Sequence, residues 1–140
     1  MIIMQNKKYI LMSIKPIYAE YIKSGQKTME LRRLAPHVQP GDILIIYESS
    51  PVQRITSYCD IDSITIANLD TLWQVAEKRA CITHNSFMTY FANKKCGAGI
   101  SLTNVHTLKS PIRLNELDEK MRAPQSYRYI SEEQFRQLLE

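Results

Sequence analysis

Glycine, cysteine and long apolar runs are all scarce in this chain, and each scarcity excludes a class of protein. Only four glycines occur in 140 residues, and none falls in a G-x-G-x-x-G or G-x-x-x-x-G-K-[ST] arrangement. Phosphate-cradling loops of those kinds need glycine where backbone approaches the phosphates, so they are excluded. The three cysteines, Cys59, Cys81 and Cys96, are odd in number and far apart. That pattern fits free thiols in a reducing compartment rather than a secreted disulfide framework. No segment approaches the roughly 18 apolar residues of a membrane span. The apolar run Met1–Met4 is too short for a signal peptide, and Lys7 and Lys8 follow it instead of preceding it. The protein is expected to be soluble and cytoplasmic, with no membrane partner.

Catalytic signatures are equally sparse. The histidines His37, His84 and His106 form no metal-spaced pair with one another, and no G-x-S-x-G elbow marks a serine hydrolase. Cys81 and His84 have the spacing of half a metal site without a second half, and read as a structural or surface pair. No metal or cofactor is implied.

What is present is an ordinary globular composition, 44% hydrophobic and 23% charged. A length of 140 residues suffices for one domain with its own core, so residues 1–140 are read as a single domain. The net charge of +4 is unevenly placed: eight Lys/Arg oppose four Asp/Glu through Arg54, and ten oppose ten thereafter. The basic excess of the first part favours an anionic partner such as a nucleic-acid backbone.

The richest stretch is Ser13–Arg33. Tyr9–Ile14 is apolar and β-branched enough for a strand. Pro16 suits a first helical position, Ile17, Tyr18, Tyr21 and Ile22 share a helical stripe, and Ser24-Gly25 ends it. Lys27–Leu34 then reads as a strand with Thr28, Glu30 and Arg32 on a polar face, and Met29, Leu31 and Arg33 on the other. Lys27 joins Glu30 only if it sits in the turn before the pleat or at a bulge. Ile43–Tyr47 suggests a strand buried on both faces, ending in Glu48-Ser49-Ser50-Pro51. Arg54–Ile66 and Gly97–Leu108 are long strand patterns whose apolar phase shifts midway, as at a bulge or barrel corner. Asp70 is expected to cap a helix reaching about Arg79, and Asn85 another through Phe91. Pro111–Arg122 reads as irregular or a short turn of helix, Tyr127–Ile130 as a last strand, and Ser131–Gln134 as a capping box opening a terminal helix. Bent strands with inserted helices predict an α+β fold built as a small curved β-barrel with peripheral helices.

Three distant segments carry the candidate site: Lys15, Lys27, Glu30, Arg32 and Arg33; then Ser49, Ser50 and Arg54; then Gln125 and Ser126. Taken singly, Glu30 and Arg32 read as an ion pair, worth little if exposed. Taken together, these segments each end a strand in small or polar residues.

SIKPIYAEYIKSGQKTMELRR, YESSP at Tyr47–Pro51 and APQSYRY at Ala123–Tyr129 resemble the ASCH domain, a family of the PUA-like superfamily of β-barrels, over about Tyr9 to Ile130. The likeness is strongest to small prokaryotic and phage members labelled predicted transcriptional regulators. It implies a cleft between barrel and first helix that binds RNA or a modified nucleoside or nucleotide. In that reading Lys15, Lys27, Arg32 and Arg33 meet phosphates. Glu30, Ser49, Ser50, Gln125 and Ser126 read base edges, and Tyr18, Tyr47 or Tyr127 stack on a base, although core packing is the plainer role for Tyr18 and Tyr47. Some relatives are amidohydrolases that deacetylate N4-acetylcytidine, using the motif lysine, a threonine three residues later and a more distant glutamate. Lys27 matches the lysine, but Glu30 stands at the threonine position, with Thr28 nearby and Glu77 as a remote carboxylate. A desolvated Lys27 acting as base with Glu30 activating water leaves hydrolysis open, including ribonuclease chemistry. The sequence thus predicts a nucleic-acid-binding module first and a hydrolase second, with a nucleotide-sensing regulator as a third reading. No helix-turn-helix pattern supports direct promoter binding.

Overall fold

A computed structural model describes residues 6–140. In chain order the elements are β1 (Tyr9–Ile14), α1 (Pro16–Lys23), β2 (Met29–Arg32), β3 (Ile43–Glu48), β4 (Arg54–Asn68), α2 (Leu69–Ala76), α3 (His84–Tyr90), β5 (Cys96–Ile112), β6 (Tyr127–Ile130) and α4 (Glu132–Leu138), with a 3-10 turn at Leu114–Glu116. The fold is α+β, and among the described residues no helix is long and apolar enough to cross a membrane.

The strands form one six-stranded sheet in the order β2-β5-β4-β3-β1-β6. β1 and β3 run parallel, and the other pairings are antiparallel. β3 is buried along its whole length, as its continuous apolar run requires. Alternate residues feed opposite faces: Ile10, Met12, Leu44 and Ile46 enter one core, and Leu11, Ile45 and Tyr47 another.

The expected closed barrel is not formed. β2 and β6 are the two edges, each only four residues long, and each spends its pairing on a single neighbour. Curvature is nevertheless strong, because Ile100 and Leu102 of β5 share a core with Ile10 and Met12 of β1, three places away in the sheet. Register shifts in the β4–β5 ribbon between Ile55/Ser57, Tyr58/Asp60 and Ile61/Ser63 supply the bend. Asn104, opposite the middle shift, has φ +53°. Pro111 falls where β5 bulges between Thr107 and Ile112, a place that demands no ladder N–H. β5 therefore runs on to Ile112, beyond the expected end at Leu108.

Two caps differ from expectation. Asn68, not Asp70, accepts the N–H of Thr71, and α2 stops at Ala76 rather than near Arg79. Thr83, not Asn85, accepts the N–H of Ser86. Each helix starts two residues early, which puts Asp70 and Asn85 inside the first turn, where a side chain cannot cap it. α1 follows the sequence closely, with Pro16 at its start, Ser24 as C-cap and Gly25 at φ +86°. It is fastened to the sheet by Lys23, whose ammonium lies 2.7 Å from the buried carboxylate of Glu48 and 2.6 Å from exposed Glu20. Glu48 also accepts a short hydrogen bond from the Thr56 hydroxyl.

Candidate functional site

A cleft of about 550 Å³ opens where the sheet fails to close, between edge strand β2, the end of β1, α1 and α3. Met29 and Leu31 turn into a third core with α2 and α3, so the alternation of the strand delivers Glu30 and Arg32 to the cleft. Lys27 lies two residues before β2 begins, in the irregular stretch after the Ser24-Gly25 turn, and from there it reaches Glu30. Its ammonium donates to the Ala80 carbonyl at 2.8 Å, lies 3.4 Å from Glu30 Oε1 and sits 5.0 Å from the centre of the Tyr18 ring. Lys27 is 3% exposed and Glu30 7%.

Arg32 spans the seam that no backbone ladder crosses. Nη2 donates to Glu30 Oε2 at 2.9 Å and to the Ser13 carbonyl at 3.0 Å, while Nη1 reaches the Ser126 hydroxyl at 3.3 Å. A buried Nε remains without a hydrogen-bond partner among the described residues. Ser13 secures the opposite wall, its hydroxyl donating to the Pro124 carbonyl at 2.6 Å and its N–H to the Ser126 carbonyl at 3.1 Å. One helical wall comes from α3, through Asn85, Ser86, Thr89 and Tyr90. The Tyr90 hydroxyl donates to the Leu31 carbonyl at 3.2 Å. Burial, aided by the Glu30 carboxylate, pushes that hydroxyl above the ordinary phenol range against the pull of Arg32 and Arg33. Three cations, Lys15, Lys27 and Arg32, and one anion, Glu30, line the cleft, so its field favours a negatively charged occupant.

Of the sequence candidates, Lys15, Lys27, Glu30 and Arg32 line the cleft, and Ser126 touches it through Arg32. Arg33 and Gln125 are exposed and do not line it. Ser49 and Ser50 lie in the turn after β3, where the Ser49 N–H donates to the Ile14 carbonyl at 3.0 Å, beside the cleft rather than in it. Arg54 belongs to a separate depression with Tyr47, whose ring is buried in the second core. The Thr28 hydroxyl accepts from Arg79 Nε at 3.0 Å, and exposed Glu77 stands just after α2; neither lines the cleft. Among the described residues no group of three or more His, Cys, Asp or Glu side chains is arranged to hold a metal ion; His84 packs its ring 4.9 Å from Trp73. The α3 wall was missed from the sequence. Its only signal is the polar set of Asn85, Ser86 and Thr89 opposite Phe87 and Phe91.

Residues 12–112, spanning β1 through β5 and so every strand of the cleft floor, match the ASCH domain family. The chain belongs to the ASCH domain family. A curated relative from Zymomonas mobilis, named an ASCH domain-containing ribonuclease, is 26% identical over 137 residues, covering 96% of this chain and 92% of the relative. The crystal structure of ASCH from Zymomonas mobilis superposes with a TM-score of 0.89 at 25% identity, covering 96% of this chain and 95% of that one. The N-terminal domain of Staphylothermus marinus McrB shares the fold at a TM-score of 0.60 and 10% identity, over 96% of this chain and 97% of that one. This ASCH domain thus keeps the family fold with a Lys27–Glu30–Arg32 chain on its cleft floor.

Proposed function

We propose that this ASCH domain binds single-stranded RNA or a modified nucleotide, taking one base into the cleft while Lys15 and Arg32 meet its phosphates. The observation that carries this reading is the buried Lys27–Glu30–Arg32 chain on the floor of a nucleotide-sized cleft with a cationic lining. Glu30 presents a fixed acceptor for an exocyclic amine, and the Tyr18 and Tyr90 rings flank a space where a base can stack. Ser49, Ser50, Arg33 and Gln125 then act at the mouth, on nucleotides beside the bound one. Residues 1–140 work as one unit in this reading, with the curved sheet as a PUA-like frame. Any regulatory role runs through RNA and not through promoter DNA. Titration of labelled oligocytidylate, whose bases carry the exocyclic amine, against salt tests it. Affinity should fall with a log–log slope of about −0.7 per phosphate contact. A salt-insensitive interaction, or none, sinks the reading.

A second reading, RNA cleavage, is favoured by the relative named a ribonuclease. Here the 2′-hydroxyl attacks the adjacent phosphorus, its proton passing to the Glu30 carboxylate. The bond from phosphorus to O5′ breaks, and the departing oxygen takes a proton from the Lys27 ammonium. The products are a 2′,3′-cyclic phosphate and a 5′-hydroxyl, and solvent restores both protonation states. Glu30→Gln should slow cleavage by about 100-fold or more. Cleavage at the wild-type rate in that variant removes Glu30 from the chemistry. Deacetylation of N4-acetylcytidine has less support, because Glu30 holds the threonine position and the Thr28 hydroxyl is engaged by Arg79.

A further inference from the structure

Arg54, Arg113 and Arg122 come from the start of β4, the exit of β5 and the segment before β6, yet they line one open depression of about 730 Å³ around Tyr47. Among the described residues that lining includes no carboxylate, and none of the three guanidinium groups has an ion-pair partner. Arg54 Nη1 is fixed to its own turn by the carbonyls of Val52 at 3.2 Å and Gln53 at 2.9 Å. Like charges gathered at a surface repel, so a fold that assembles three of them unpaired maintains a strong positive field there.

This depression adjoins the cleft through two connectors. Residues 123–126 run from Arg122 to Ser126, and Ser13 of the cleft holds their carbonyls at Pro124 and Ser126. Residues 49–52 run from the β3 end to Arg54, and Ser49 is bonded to Ile14 of the cleft wall. Arg122 and Ser126 are four residues apart, which bounds their Cα separation at about 14 Å.

We infer that the arginine depression is a second subsite, which grips backbone phosphates of the same single-stranded nucleic acid whose base occupies the cleft. The inference rests on the RNA-binding reading above and extends it. Guanidinium forks suit phosphate oxygens in pairs, and an open depression lets a backbone pass over it without ending there. A long strand should therefore bind through both places, and a dinucleotide through the cleft alone.

Fluorescence polarisation with labelled oligocytidylates, a dinucleotide and a strand of about twelve nucleotides, tests this. With all three arginines changed to glutamine, affinity for the longer strand should fall by about tenfold or more near physiological salt. The salt slope should flatten by about two, and dinucleotide binding should not change. Arg113→Gln with Arg122→Gln, two side chains without an ion-pair partner among the described residues, guards against misfolding and should flatten the slope by about 1.4. Wild-type affinity and slope in both variants would overturn the subsite. So would a wild-type protein that binds the longer strand no better than the dinucleotide, although the cleft reading then stands. If the wild-type protein binds neither oligonucleotide, the cleft reading fails and the subsite falls with it.

Discussion

The ammonium of Lys27 lies 3.4 Å from the carboxylate of Glu30, and that same carboxylate is held at 2.9 Å by Arg32. Glu30 is therefore the shared anion of two cations, and the centre of the chain is not equivalent to its Lys27 end. Glu30→Gln strands both charges in a buried site and should cost about 3–5 kcal/mol of stability. Lys27→Met leaves Glu30 paired with Arg32 and mainly frees the Ala80 carbonyl, for about 1–3 kcal/mol. Denaturant titration of both variants checks the order, and a larger loss for Lys27→Met would contradict the shared-anion arrangement.

Glycine at two positions of β5 makes room for the wall behind the cleft. A Cβ at Gly97 would overlap a ring carbon of Phe91, whereas one at Gly99 would meet the Met29 sulfur at 2.7 Å. Gly97→Ala should thus cost about 1–3 kcal/mol, because a packed aromatic ring must move. Gly99→Ala should cost less, since a thioether end can swing aside. Thermal unfolding ranks the two, and equal losses would argue against this packing.

Lys23 responds to pH in a defined direction. Burial works against its charge, but hydrogen bonds and attraction from Glu20 and Glu48 outweigh it and raise the ammonium above its ordinary 10.5. A group that holds its proton more tightly when folded stabilises fully below its unfolded value and loses that contribution as pH rises through the folded one. The stability gap between wild type and Lys23→Met should stay constant from neutral pH to about pH 9 and shrink above about 10.5. A gap that grows with alkali would reverse the assignment.

The three thiols should separate cleanly. Cys96 is exposed, Cys81 half-buried and Cys59 fully buried, its thiol pushed up to about 12 by burial and the nearby Asp60 and Glu30 carboxylates. A disulfide reagent at mildly alkaline pH should modify Cys96 first and Cys59 only after denaturant is added. Rapid native labelling of Cys59 would show that the first core opens.

Much of this site could be read before the fold was known, and what could not has a physical cause. The Met29/Leu31 against Glu30/Arg32 alternation is a local, period-two signal, and in the structure Met29 and Leu31 join the third core while Glu30 and Arg32 line the cleft. The Lys27 position was conditional on a turn before the pleat or a bulge, and Lys27 does precede the pleat, in irregular backbone just after the Ser24-Gly25 turn. By contrast, α3 has only seven residues, and its polar face matters only because β2 lies against it, a tertiary fact with no local trace. Barrel closure was over-read for a similar reason. Bent strands signal curvature, but closure depends on whether two short edges meet, and here the Arg32 side chain spans the gap.

That seam has one more consequence. The cleft draws on Ser13 near one end of the chain, β2 and α3 in the middle, and Ser126 near the other end. No fragment carries enough of it to act alone, so occupancy reports on completion of the whole architecture. A ligand that settles there ties edge strand β2 and α3 to the end of β1, and should raise the free energy of global unfolding instead of quieting one local segment.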